Sequence, residues 1–309
     1  MRYFVCVLSI ALSPGLAIGA DALDWAYPVT PKPQPSDNVV HKQMPGSARK
    51  YTQAQIDDGF NPPDWFPEEH PPMPEIVANG KKPARACALC HLPTGDGHPE
   101  SSSLAGLPVP YLMRQMAEFK NGNRKGVRAT TMIEIAKAIS DAEVRAAGEY
   151  FAALKPGVWT KVVETDTVPK SYVGSGAMRF AVPGGGSEPI GNRIIVLPQD
   201  PVRAHSRDPH SGFIDYVPVG SVAKGKTLVT SGGAGSTIPC AICHGASLKG
   251  LGEVPGIVGR PPIYVFRQLN DMQNGNRTGS LAELTKAVVA KLTPEDIVAI
   301  AAYLGSLEP

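Results

Sequence analysis

Two pentapeptides, Cys-Ala-Leu-Cys-His at Cys87–His91 and Cys-Ala-Ile-Cys-His at Cys240–His244, constrain this chain more than any other feature. The spacing C-x-x-C-H places two thiols and an imidazole on one helical turn. That arrangement suits covalent attachment of a c-type haem. Cys87 and Cys90, or Cys240 and Cys243, would reach the two vinyl groups on one porphyrin edge, and His91 or His244 would lie under the iron as proximal ligand. Other uses of the pattern explain less. A thioredoxin-like pair needs no adjacent His and expects alternating strands and helices. A four-ligand zinc site would leave the histidines surplus. Two disulfides would give no reason for a His in both places.

The motifs belong to a longer repeat. Cys240 minus Cys87 is 153, and this offset holds without a gap to the C-terminus. Gly106 matches Gly259, Pro108 matches Pro261, Tyr111–Gln115 (YLMRQ) matches Tyr264–Gln268 (YVFRQ), and the tetrapeptide Asn-Gly-Asn-Arg recurs at Asn121–Arg124 and Asn274–Arg277. An unbroken offset of this length means two copies of one domain. Each copy closes with an amphipathic helix. Ser140 and Glu143 have capping-box spacing; Thr293 is the expected cap of the second helix, with Pro294 at its first position. Further helices are expected from Tyr111, from Tyr264 and over each C-x-x-C-H. Such short helices are too few to build a core alone, and a large flat apolar cofactor would complete it.

Each repeat, over roughly residues 75–155 and 225–309, resembles a small mono-haem cytochrome c domain, and the whole resembles a tandem di-haem c-type cytochrome of bacterial periplasms. The resemblance implies a mainly α fold, two haems c, and a distal Met in a loop just before the last helix. Met132 fits that place in the first repeat, and a soft thioether there would raise the reduction potential relative to a second imidazole. The second repeat has Thr285 at the same offset, so the sixth ligand of haem 2 is open, water or a residue from elsewhere. Met113, Met116 and Met272 are expected to pack the core, since their counterparts are Phe266, Leu269 and Phe119. His41, His70, His98, His205 and His210 are expected to be exposed or in loops.

The rest of the chain divides by composition. Residues 1–22 read as a secretory signal whose removal also removes Cys6. Residues 23–75 form a Pro-rich arm, either disordered or strapped over the first domain by Trp65 and Phe66. Domains are expected at 76–155 and 221–309. Between them, 156–220 carries β-branched and aromatic runs broken by Gly and Pro, which predicts a small β-containing linker. The formal net charge of +2 gives no reason to expect a nucleic-acid partner. No span is expected in the mature chain, although association with a membrane-bound complex is compatible with it.

These readings point to periplasmic electron transfer between a donor and an acceptor redox protein, as a soluble carrier or as the cytochrome subunit of a dehydrogenase or oxidase. No catalytic acid, base or nucleophile is evident. The alternative is a haem enzyme, di-haem peroxidase-like, or a gas- or peroxide-binding protein using an open position on haem 2. A third reading keeps haem 2 only as a folding core within a larger complex.

Overall fold

The computed structural model describes residues 23–32, 36–126 and 129–309; the expected signal segment and Arg128 lie outside the described residues. The repeat is visible helix by helix. Ala88–His91, Val109–Lys120 and Asp141–Ala153 of the first copy correspond to Ala241–His244, Pro262–Gln273 and Pro294–Gly305 of the second. Both long helices start after a proline, Pro108 or Pro261, and carry another in the first turn, where its missing N–H costs nothing. Both closing helices have a complete capping box, Ser140 with Glu143 and Thr293 with Asp296. Asp296 thus does the work of the Glu in the first copy.

Two differences between the copies bear on the site. The helix entering the second copy, Ser221–Ser231, has only a four-residue counterpart, Glu75–Ala78. Pro71, Pro72 and Pro74 occupy the preceding turns, and their rings and missing donors prevent earlier helix. Ser221–Ser231 lies so close to Pro294–Gly305 that a Cβ on Gly225 would collide with the Ala299 carbonyl. The segment before the closing helix also differs: Thr130–Ala138 is a regular helix in the first copy, whereas the second has a 3-10 turn, Glu283–Thr285, then Lys286–Val289. Met132 therefore sits on a helix rather than in the expected loop, because Thr130–Ala138 brings Ile135 and Ala136 inward at helical spacing.

Residues between the copies form a three-stranded sheet. Phe213–Val217 is central, parallel to Thr160–Glu164 and antiparallel to Ile195–Pro198. Its alternation buries Phe213, Asp215 and Val217. Phe180, Ile195, Leu197 and Phe213 share one apolar cluster with Phe266, Ile297 and Leu304 of the second copy. The insertion and the second copy thus have a continuous core, while the first copy is built around Ile76, Leu112, Val144 and Phe151. Neither Asp215 oxygen finds a hydrogen bond among the described residues, and burial raises its pKa well above the usual carboxylate range.

The later part of the arm, residues 36–75, folds over the first copy. Met44, Ile56, Trp65 and Phe66 form a small cluster. The Trp65 indole N–H donates to the Ser206 carbonyl at 2.8 Å. Arg207 donates to the Ile56 carbonyl at 3.1 Å and to the Leu89 carbonyl at 2.8 Å, tying arm, insertion and haem motif together. His70 and His98 lie in loops, but these loops are packed beneath other segments: His98 is buried, and the His70 side chain is 4% exposed and paired with Asp64 at 3.1 Å. His205 departs from expectation, because it ends the helix Pro201–His205, is half-buried and stacks on Phe180 with ring centroids 4.0 Å apart.

Candidate functional site

The two motif histidines are held alike. His91 Nδ1 lies 2.8 Å from the Ser102 carbonyl, and His244 Nδ1 lies 2.8 Å from the Pro255 carbonyl. Ser102 and Pro255 are themselves 153 apart. A carbonyl only accepts, so Nδ1 carries the proton and Nε2 keeps a lone pair, the tautomer that a metal ligand requires. Burial lowers both imidazole pKa values, opposed by these hydrogen bonds. Burial also pushes the Cys87 thiol up to about 12 and Cys240 up to about 11.

Beside the first motif is a cavity of about 910 Å³. Cys87, Cys90, His91 and Met132 all line it, with Leu112 and Phe151 among its apolar walls. This volume is at the upper end for a cofactor site. The structure therefore brings together every residue singled out in the first repeat. Met116 and Phe119, expected as packing residues, line the same cavity.

The cavity also reaches across the molecule: Tyr264, Arg267, Gln268 and Asp271 of the second copy contribute to its lining. Here the repeated Y-x-x-R-Q and N-G-N-R segments meet their own counterparts. Arg124 and Arg277 pair through their backbones. Arg124 donates to Tyr264 at 3.2 Å and to Gln268 at 2.7 Å. Arg277 returns the contact, to Tyr111 at 3.3 Å and to Gln115 at 2.8 Å. A second exchanged set lies alongside, Arg267 with Glu100 at 2.8 Å and Arg114 with Glu253 at 3.1 Å. Glu100 and Glu253 are again 153 apart. The two copies face each other about a local two-fold, each reaching across with the same side chains.

These ten interface residues were missed as functional from sequence, although the repeated motifs contain all but Glu100 and Glu253. Periodicity shows which positions are equivalent; it does not show that equivalent positions touch.

The donor set fits haem c. Each motif offers two thiols and an Nε2 lone pair, and the first cavity is apolar around them. Arg124 and Arg277 converge beside this cavity; Arg277 is buried, and the carboxylates of Glu118 and Asp271 act on the pair electrostatically. The two carboxylates of a haem would add to that counter-charge.

The second motif is more open. Cys243 and Ile242 are exposed, and Ile242 retains 66% of its accessible surface. The Thr285 hydroxyl donates to the Ala282 carbonyl in its own turn, at 2.6 Å. The nearby charges Glu283 and Lys286 pair with each other at 2.6 Å on the surface. Among the described residues, no helix is long and apolar enough to cross a membrane.

No family model matches the chain. Over 228 residues it is 26% identical to the thiosulfate dehydrogenase electron acceptor of Thiomonas intermedia, covering 72% of this chain and 79% of that protein. Over 236 residues it is 25% identical to cytochrome c4 of Pseudomonas aeruginosa, covering 75% of this chain and 88% of that one. Over 70 residues it is 34% identical to cytochrome c-554(548) of Halomonas halodenitrificans, which is 22% of this chain but 84% of that protein. The relation therefore exists at the scale of one repeat and of the tandem. With two copies of one attachment motif on two copies of one helical frame, the chain belongs to the di-haem c-type cytochromes, which transfer electrons through two covalently bound haems c.

Proposed function

We propose that Cys87, Cys90 and His91 hold one haem, with Met132 as its second iron ligand, and that Cys240, Cys243 and His244 hold the other. The domains 76–155 and 221–309 then carry one haem each, and the later arm with the Arg207 turn of the insertion screens the first. The haem supplies the one-electron exchange between ferric and ferrous iron. The chain supplies the rest. The Nδ1–H bonds of His91 and His244 fix ring orientation. The apolar walls lower the local dielectric. The crossed arginines hold the two copies in fixed register. The observation that carries this reading is the first cavity, which contains a complete ligand set and opens onto side chains of the second copy.

The site of action is the periplasm, and the donor is a dehydrogenase of small sulfur oxyanions. Support for that donor is the similarity to a thiosulfate dehydrogenase electron acceptor over most of both chains. The haem-enzyme reading is less favoured, because Glu283 and Lys286, the charged groups nearest Thr285 in sequence, are paired on the surface.

The test is made on the full-length haem-loaded protein. A pyridine haemochrome assay should count two haems per chain, and Cys87→Ser with Cys90→Ser should leave one. Thiosulfate plus its dehydrogenase should reduce the oxidised protein with both haems responding. Two haems that chemical reductants reduce but this couple does not would remove the proposed donor and leave electron transfer intact.

A further inference from the structure

The second repeat has lost the distal Met, and the structure assigns a replacement: we infer that Met272 supplies the sixth ligand of haem 2. This rests on the haem-attachment reading above.

The first repeat shows which positions lie together. Phe119, near the end of Val109–Lys120, packs in one cluster with Met132, and both line the cavity. The offset of 153 turns Phe119 into Met272 and Met132 into Thr285. Two neighbouring positions have thus changed together. The sulfur has left the segment before the closing helix and appeared on the long helix beside it. Phe and Met have become Met and Thr, so the site has lost volume, which gives an unbranched thioether room to adjust.

The surroundings in the second repeat support the exchange. Gln273, the next residue, donates to the Val289 carbonyl at 2.7 Å and the Leu292 carbonyl at 2.8 Å. These bonds pin the end of Pro262–Gln273 against the segment that follows Thr285. Met272 is half-buried at the edge of the second copy's apolar cluster, packed against it without being fully enclosed. Other ligands in the second repeat are scarce. Met272 is the only Met between 221 and 309, and His244 is the only His. Lys224 pairs with Asp296, Lys286 with Glu283, and Lys249 reaches the Pro309 carbonyl. Lys226 and Lys291 are exposed. The Thr285 hydroxyl is engaged in its own turn. A soft, neutral sulfur is also the donor that suits haem iron in an electron carrier.

The experiment compares ferric spectra of the full-length haem-loaded protein and its variants. The sulfur-to-iron charge-transfer band reports Met ligation, and electron paramagnetic resonance reports high-spin iron. Unmodified protein should show two sulfur-ligated low-spin haems. Met272→Leu should lose about half of the band and gain a high-spin haem, and Met132→Leu should lose the other half. Met272→Phe, which copies the residue at the matching position of the first repeat, should behave like Met272→Leu and guards against a packing artefact. Adding Thr285→Met to Met272→Leu should restore the band. An unmodified spectrum with one sulfur-ligated haem, unchanged by Met272→Leu while the haemochrome count stays at two, would overturn the assignment. A count below two would instead overturn the attachment reading and this inference with it.

Discussion

Arg267–Glu100 and Arg114–Glu253 are the same ion pair written twice, yet they occupy different environments. In the first, both side chains are nearly inaccessible, 4% and 7% exposed; in the second, 20% and 62%. The difference comes from residues outside the repeat. Residues 23–27 lie on the second copy, where Arg267 donates to the Ala26 carbonyl and Trp25 packs on Phe266 with ring centroids 4.7 Å apart. Asn270 donates to the Tyr27 hydroxyl at 2.7 Å. The first copy receives the later arm and the insertion over its motif helix instead. A symmetric pair of domains has been made asymmetric by its wrappings, and the energetic weight of equivalent contacts has changed with them.

Breaking the two pairs gives the largest expected contrast. Arg267→Ala removes one member of a buried ion pair and should cost about 3–5 kcal/mol in denaturant unfolding. Arg114→Ala, at the more exposed pair, should cost no more than about 1 kcal/mol. Equal losses would mean that the covering by residues 23–27 does not matter.

Glycines sharpen the comparison of the helical frames. Gly225→Ala should destabilise by about 1–3 kcal/mol, because the Ala299 carbonyl occupies the space for the new methyl. Gly148→Ala should do the reverse. It copies Ala301 from the second repeat, and its Cβ would meet only ordinary contacts, 3.5 Å from a Val109 methyl and 3.8 Å from Leu112 Cβ. A gain of about 0.5–1 kcal/mol is expected in the same unfolding assay.

Asp215 belongs to neither copy, and its effect depends on pH. Burial raises its folded pKa well above the ordinary carboxylate value of 3.8. The folded state then binds the proton more tightly than the unfolded state. Stability from this group is complete below about pH 4 and declines as pH rises through the folded pKa. Asp215→Asn should remove that decline, raising the melting temperature at neutral pH relative to the parent while changing it less in acid. The matched caps should show no contrast between the copies: Ser140→Ala and Thr293→Ala should each cost about 1 kcal/mol, because both remove the same hydrogen bond from a helix start.

Much of this frame is legible in the amino-acid order. The helical turns at Cys87–His91 and Cys240–His244 follow from their motifs, and Ser140 with Glu143 marks a helix start, because these signals depend on neighbours along the chain. Met132, singled out through the family resemblance, lines the cavity beside the first motif. What is not legible depends on contacts across the fold. Arg124 and Arg277 read as equivalent positions, and nothing local says that they meet. His98 reads as a loop residue because its burial comes from segments far away in sequence. Met272 reads as a core residue and does pack against the cluster of the second copy; that its position lies beside that of Thr285 shows only where Phe119 meets Met132.

The crossing at Arg124 and Arg277 has a consequence for what each half can become. Two separate copies held by such a contact would be identical by necessity, so any change at position 119 or 132 would appear on both sides at once. Here the covalent connection keeps the halves at high local concentration, and the contact between them need not sustain an independent dimer. Each position can then be varied alone. One half can keep its cofactor wrapped while the other presents its edge, giving an electron entering or leaving this protein two unequal doors.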